Sequence, residues 1–168
     1  MPPPNYRSFE STGGDSIGRV DVVVRGGESA LPKPSVLAPN HVGLTLESSP
    51  DLIWHLSERS RWPIELTLSR VADGRPVATS VIEPPVSEGF HTFSLVGHGA
   101  QLQLGETYQW FVSILIDDEN PARNPITGGT IRRTEPSSSL RTALERAGLE
   151  AQPGLLAQNG IWYDSFSL

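Results

Sequence analysis

The chain has 168 residues, a formal net charge of −6 and a sequence pI near 5.2. An acidic chain repels phosphate backbones, which argues against nucleic acid as a partner. The sequence contains no cysteine, which excludes disulfides, thiol chemistry and cysteine-ligated metal sites, and it has no apolar run of the roughly 20 residues that span a bilayer. With 16 Gly and 15 Pro, the composition favours short strands joined by many turns.

The first part of the chain predicts little regular structure. Residues 1–18 are rich in Pro, Ser and Gly and have no hydrophobic repeat, so we expect a flexible arm there. No signal peptide pattern follows Met1, and such a start is typical of a chain cut after a targeting segment or of an engineered start. The β-branched run at 19–25, closed by Gly26 and Gly27, predicts a first or edge strand.

The middle of the chain alternates apolar and polar residues, which is the repeat of half-buried strands. The clearest case is 63–70, where Ile64, Leu66 and Leu68 point one way. Asp73 and Gly74 predict a hairpin turn, because glycine supplies the positive φ that such turns need. Further strands are predicted at 36–37, 44–46, 52–56, 77–82, 90–95 and 126–133.

The stretch 104–120 predicts the central strand, since apolar residues occupy one face at period two and the other face begins polar and becomes apolar. The first face carries Tyr108, Trp110, Val112, Ile114 and Ile116. A tyrosine near the start of the penultimate strand is the position of the tyrosine corner in immunoglobulin-like domains. With strands about 8–12 residues apart, 19–135 is predicted to be an antiparallel immunoglobulin- or fibronectin-III-like β-sandwich.

The period changes after Pro136, and 136–168 is predicted to be a C-terminal helical hairpin packed on the sandwich. Serines 137–139 offer N-caps, and apolar residues then follow at spacings of three and four. Pro153 suits the first turn of a second helix. The Ile-Trp-Tyr-Asp run at 161–164 that follows is too aromatic for a loose tail.

Several motifs, in this order, resemble the uncharacterised bacterial family catalogued as domain of unknown function 928. They are Gly43-Leu44-Thr45 with Pro50 and Trp54, the Leu-Gly-Glu-Thr-Tyr-Gln-Trp run at 104–110, Asn124-Pro125 with Gly128, Arg132-Arg133, and Gly-Ile-Trp-Tyr-Asp at 160–164. The resemblance covers 35–165 and implies an exported protein, periplasmic or associated with the cell surface. Many members carry cysteine where this chain has Ile116, which argues against a thiol function, and an aromatic residue where it has Gly129.

Two sets of polar residues carry groups that can bind metal ions. Asp117, Asp118, Glu119 and Asn120 place four oxygen-bearing side chains at a strand end, where calcium is one interpretation and a solvated polar turn the other. Their spacing lacks the alternation and the glycine of a calcium loop, so no metal is predicted. The four histidines lie in different segments without a zinc-ligand spacing: His41, His55, His91 and His98.

No catalytic motif is present in the sequence. Neither a Gly-x-Ser-x-Gly elbow nor a phosphate-binding loop occurs, and the pair Gly128 and Gly129, like Gly26 and Gly27, is interpreted as a turn. We therefore expect no enzyme, no cofactor and no catalytic residue. A glycoside hydrolase remains an alternative if acids distant in sequence meet in space: Glu65, Glu83, Glu106 and Asp164.

The cluster of Trp162, Tyr163 and Asp164 is the strongest candidate site. One interpretation is a plug that docks the tail, with Asp164 capping or pairing with Arg132 or Arg133. The other is a partner-binding surface, because Trp, Tyr and Arg dominate interface hot spots. The function predicted is an exported, non-catalytic module that binds a protein partner at the bacterial cell envelope. The alternative is a carbohydrate-binding module, with or without calcium, that uses an exposed aromatic residue such as Trp62 and the 117–120 loop.

Overall fold

The computed structural model describes residues 18–20 and 31–166, which form a mostly β protein with two short helices. The strands are β1 (Pro34–Val36), β2 (Gly43–Thr45), β3 (Asp51–Leu56), β4 (Ile64–Arg70), β5 (Pro76–Ile82), β6 (Gly89–Ser94), β7 (Thr107–Ile114) and β8 (Ile126–Arg133). The helices are α1 (Ser138–Arg146) and α2 (Gln152–Gln158), and short 3-10 turns cover Pro121–Arg123, Leu149–Ala151 and Tyr163–Phe166.

The strands form two sheets. One has the order β1-β3-β6 and the other the order β2-β8-β7-β4-β5. The prediction of wholly antiparallel pairing is wrong for β2, which runs parallel to β8 with Gly43 opposite Ile131. The reason is that residues 37–42 carry the chain from the edge of the first sheet to the edge of the second instead of folding back into a hairpin.

The two sheets share one hydrophobic core. Trp54 of the three-stranded sheet and Trp110 of the five-stranded sheet are both fully buried in the same cluster. The central position predicted for β7 is confirmed, because it pairs with β4 on one side and with β8 on the other. The alternation along β7 is also confirmed, since its inner residues are buried and its outer ones, such as Phe111, are half-buried.

Tyr108, at the position predicted for a tyrosine corner, lies at the start of β7 and is buried. The hydroxyl of Tyr108 accepts a hydrogen bond of 3.0 Å from the backbone N–H of Gln103, five residues upstream. This bond ties the loop before β7 to the strand, which is the role the motif has in immunoglobulin-like domains. The hairpin turn is confirmed as well, because Gly74 has a φ of +67° between β4 and β5.

The Gly128–Gly129 pair, interpreted above as a turn, instead lies inside strand β8. A Cβ atom on Gly128 would lie 2.4 Å from the Phe111 ring, and one on Gly129 would lie 2.5 Å from the Cβ of Ala38. Glycine is therefore required here by the close approach of neighbouring groups across both faces of the strand.

The C-terminal helices form as predicted. Ser137 caps α1 by accepting a 3.2 Å hydrogen bond from the N–H of Leu140, and Pro153 lies in the first turn of α2. A second apolar cluster joins the helices to β2 and to the segment after α2: Leu44, Leu140, Leu156 and Ile161. Within the described residues, no helix combines the length and the apolar character needed to cross a membrane.

The predictions for the N-terminal part fall mostly outside the described residues. These are the arm, apart from Gly18, the glycines Gly26 and Gly27, and most of the strand at 19–25. Within that strand, Val20 is described and pairs with Gly128 through two backbone hydrogen bonds of 2.9 and 3.0 Å.

Candidate functional site

The aromatic residues of the 162–164 cluster are buried against the sheets. Tyr163 accepts a hydrogen bond of 3.0 Å from the indole N–H of Trp110 and donates one of 3.0 Å to the carbonyl of Thr130. The indole N–H of Trp162 donates to the carbonyl of Leu37 at 3.3 Å, and its ring packs against Phe166. The burial agrees with the docking interpretation, because these side chains join the main core.

Asp164 is also buried, with 7% of its surface exposed. Its carboxylate accepts hydrogen bonds from the hydroxyl of Thr45 and, at 2.8 Å, from the N–H of Leu46. Burial raises the pKa of Asp164 from 3.8 to about 6; the two hydrogen bonds oppose this rise and the nearby Glu47 adds to it. Asp164 is therefore a buried carboxyl whose charge is held by two donors at the end of β2.

Of the two roles expected for Asp164, capping and pairing with an arginine, the structure shows a capping contact with the N–H of Leu46, and neither arginine pairs with it. Arg132 donates to the hydroxyl of Thr107 at 2.8 Å, and Arg133 donates to the carbonyl of Leu102 at 3.2 Å. The reason is the parallel β2–β8 pair, which places Thr45 beside Arg133 and presents the end of β2 to the carboxylate. The five residues proposed as one surface are thus divided between a buried segment and the half-buried end of β8.

The acidic loop after β7 is a turn organised by Asp117. One carboxylate oxygen accepts from the N–H groups of Glu119 and Asn120 at 3.0 and 2.9 Å, and the other pairs with Arg123 at 3.2 Å. The side-chain carbonyl of Asn124 accepts two further backbone N–H groups, those of residues 116 and 117. The carboxylate of Asp117 is therefore already committed within the loop, which agrees with the polar-turn interpretation.

No metal site is formed by the described part of the chain. Across residues 18–20 and 31–166, no three His, Asp or Glu side chains converge where an ion could be held. His91 stacks on Trp54 at 4.4 Å and donates to a backbone carbonyl, and His98 also donates to a carbonyl. His55 lies half-buried beside Phe90, and burial lowers the pKa of His41.

The acids considered for hydrolysis are placed in different surroundings. Glu65 lies on the outer face of β4, whereas Glu106 interacts electrostatically with Arg70 near the β4–β5 turn. Burial raises the pKa of Asp164, and the carboxylate that adds to this rise is that of Glu47, which is not among the four acids. The aromatic residue considered for sugar stacking, Trp62, is half-buried against the core, and the guanidinium of Arg61 lies 4.3 Å above its ring.

Sequence reasoning missed a concave surface on the outer face of the five-stranded sheet, which we name the sheet depression. It has a volume of about 380 Å³ and reaches from the middle of β4 and β7 to the acidic loop. Its lining residues are Glu65, Thr67, Phe111, Ser113, Leu115, Asp117, Asp118, Pro121, Asn124 and Ile126. The sequence signal for the depression is the alternation of outward-facing residues along β4 and β7. That pattern does not say which residues of neighbouring strands lie opposite each other.

The register brings these residues together. Glu65 lies opposite Ser113, and Thr67 lies opposite Phe111, in the antiparallel pair of β4 and β7. Ser113 lies in turn opposite Ile126 of β8. Three adjacent strands therefore form the floor of the sheet depression, and the turn held by Asp117 forms its wall. A rigid floor of this kind suits a binding surface better than a mobile loop does.

Comparison with models of known protein families gives a match over most of the chain. No curated protein matches the chain. The family model described as Domain of Unknown Function (DUF928) matches residues 23–168, which confirms the resemblance carried by the 104–110 and 160–164 motifs. Since the match covers most of the chain, the protein belongs to the DUF928 family.

Proposed function

We propose that the protein is an exported, non-catalytic module with an immunoglobulin- or fibronectin-III-like sandwich fold, which binds a protein partner at the bacterial cell envelope. The tyrosine corner at Tyr108 and the division into a three-stranded and a five-stranded sheet support this fold. We also propose that the chain is divided into a β-sandwich domain at 19–135 and a C-terminal helical tail at 136–168. Export is supported by the family resemblance.

The sheet depression is the observation that carries the binding proposal. Protein interfaces combine apolar and polar groups, and the depression has both: the apolar side chains of Phe111, Leu115 and Ile126 and the charged groups of Glu65 and Asp118. It lies on the central strands of the larger sheet, so its floor is held by ladder hydrogen bonds on both sides. A partner would meet a surface that needs little reorganisation.

Photo-crosslinking in cells that produce the full-length protein tests whether the partner binds at this surface. A photoreactive amino acid at Ser113, in the depression, should crosslink one protein of defined mass. The same group at Glu58, an exposed residue outside the depression, is the matched control and should not give that product. Equal products at both positions, or none at Ser113, would contradict the proposal.

The envelope location needs its own measurement. Cell fractionation of the native host, with antibody against the protein, should place it outside the cytoplasmic fraction. A product found only in the cytoplasm would overturn the export part of the proposal and leave the binding part standing.

Carbohydrate binding and hydrolysis have less support. The guanidinium of Arg61 lies over the Trp62 ring, and the Asp117 carboxylate is bound within its own turn, so these two residues give less support to sugar binding. A calcium-assisted module would melt at a higher temperature in calcium than in a calcium-free buffer, because ligands stabilise the state that binds them. We expect equal melting temperatures.

A further inference from the structure

We infer that the sheet depression receives a positively charged side chain of the partner, so that the partner presents a basic segment to the outer face of the five-stranded sheet. This inference rests on the proposed function and names the chemistry of the partner.

The charges in the depression are not balanced. Three carboxylates line it, and the one on Asp117 is paired with Arg123 and held by two backbone N–H groups. The other two, on Glu65 and Asp118, have no hydrogen bond or ion pair with any described residue. Two negative charges that no described residue compensates attract a cation to this concave surface, and field lines concentrate in such a cleft.

The floor of the depression suits the stem of a long basic side chain. Lys and Arg lay their methylene groups along apolar surface while the charged end remains polar, and a cation is also attracted to the face of an aromatic ring. Phe111 is held in place over Gly128, where even a Cβ atom would lie 2.4 Å from the ring. A fixed ring with carboxylates beside it is the combination that recognises such a side chain.

Other occupants fit these features less well. A divalent calcium ion prefers six or more oxygen ligands, and two free carboxylates supply too few. An anionic ligand would be repelled by the same carboxylates. The net charge of −6 over the whole chain attracts a basic partner during diffusional encounter. The same charge also favours a basic partner in the bound complex.

The test uses a defined probe, the blocked peptide acetyl-Gly-Arg-Gly-Arg-Gly-amide, and the same peptide with neutral citrulline in place of arginine. Amide chemical shifts of the ¹⁵N-labelled protein should move at Phe111, Ser113 and Ile126 with the arginine peptide only. The change Glu65→Gln with Asp118→Asn should weaken binding about tenfold, and added salt should weaken it further. The matched pair Glu58→Gln with Glu88→Gln removes the same charge elsewhere and should leave binding unchanged.

Three results would overturn the inference: equal binding of both peptides, shifts that avoid the depression, or no loss of affinity in the Glu65→Gln, Asp118→Asn variant. Calcium chloride that moves the same amides while the arginine peptide does not would identify a metal site instead. Melting temperatures of all variants report whether they fold. A Ser113 crosslink that persists in the double variant would keep the proposed function and reject the charge inference, whereas absence of that crosslink in the wild-type protein rejects the proposed function itself.

Discussion

Trp110 of the central strand and Tyr163 of the C-terminal segment are joined by a hydrogen bond of 3.0 Å between the indole N–H and the phenol oxygen. Both side chains are buried in the main core. The same hydroxyl donates to the carbonyl of Thr130 on β8. Tyr163 thus satisfies two buried polar groups of the five-stranded sheet, and the segment that carries it is part of the core.

The first prediction concerns this hydroxyl. The change Tyr163→Phe keeps the ring but removes the hydrogen-bond acceptor of the Trp110 indole N–H and the bond to the Thr130 carbonyl. Buried polar groups that lose a partner destabilise a protein by roughly 1–3 kcal/mol. We expect a decrease of that size in the free energy of unfolding, measured with urea. Thr92→Val, which removes the hydroxyl of an exposed side chain, is the control, and an equal effect of both changes would contradict the prediction.

The second prediction concerns the buried carboxyl of Asp164. Its pKa is about 6 in the folded protein against an ordinary 3.8, so the folded state binds the proton more tightly. Protonation of Asp164 therefore stabilises the folded state fully below about pH 4, and this stabilisation is lost as the pH rises through 6. The shift corresponds to a decrease of about 3 kcal/mol in the free energy of unfolding across that window.

The variant Asp164→Asn isolates this effect, because its amide cannot titrate but can still accept from the N–H of Leu46. Urea unfolding of both proteins from pH 4 to pH 7 should give a difference that depends on pH in the direction stated. Taking the difference removes the opposite trend of Asp73, whose pKa is lowered to about 2 by its hydrogen bond with Arg70. A difference that stays constant with pH would show that Asp164 does not titrate in this range.

The third prediction concerns Gly128. A Cβ atom there would lie 2.4 Å from the Phe111 ring and 2.5 Å from the backbone oxygen of Trp110, and the backbone atom cannot rotate away. Gly128→Ala should lower the free energy of unfolding by about 1–3 kcal/mol, the usual effect of overpacking. Gly148→Ala is the control, since a Cβ atom at Gly148 meets nothing within 4 Å. Comparable stability of the two variants would contradict the packing found at β8.

The fourth prediction concerns the turn held by Asp117. Its carboxylate binds two backbone N–H groups and Arg123. Asp117→Ala should decrease the free energy of unfolding by about 1 kcal/mol, because these groups are partly exposed and water replaces some of the lost bonds. Glu119→Ala removes an exposed carboxylate from the same loop and should have almost no effect. Hydrogen exchange at the amides of residues 119 and 120 should become faster only in the first variant.

Local patterns predicted a large part of the fold. The alternation at 63–70 and along 104–120 identified β4 and β7 with their buried faces, and Asp73–Gly74 located the hairpin between β4 and β5. The sequence also predicts a tyrosine-corner position for Tyr108, because such a corner depends on a short loop directly before the strand. These features are encoded within a few residues, so the sequence alone is enough to find them.

Features that join distant segments could not be predicted in the same way. The bond between Thr45 and Asp164 links residues 119 positions apart, and no local pattern names that partner. In β6, both faces carry a phenylalanine, so periodicity does not say which face is buried, and the structure exposes Phe90 by 72% while burying Phe93. The sheet depression depends on the register of β4, β7 and β8, which hydrophobic periodicity does not contain.

The insertion of Tyr163 into the core also sets an order of events during translation. The ribosome makes β7 long before residue 163, so the buried N–H of Trp110 has no phenol partner until Tyr163 has left the exit tunnel. Contacts of such long sequence separation form late, because the intervening chain must be ordered first. A nascent chain of this protein therefore completes its native packing only once the Trp-Tyr-Asp motif has left the exit tunnel.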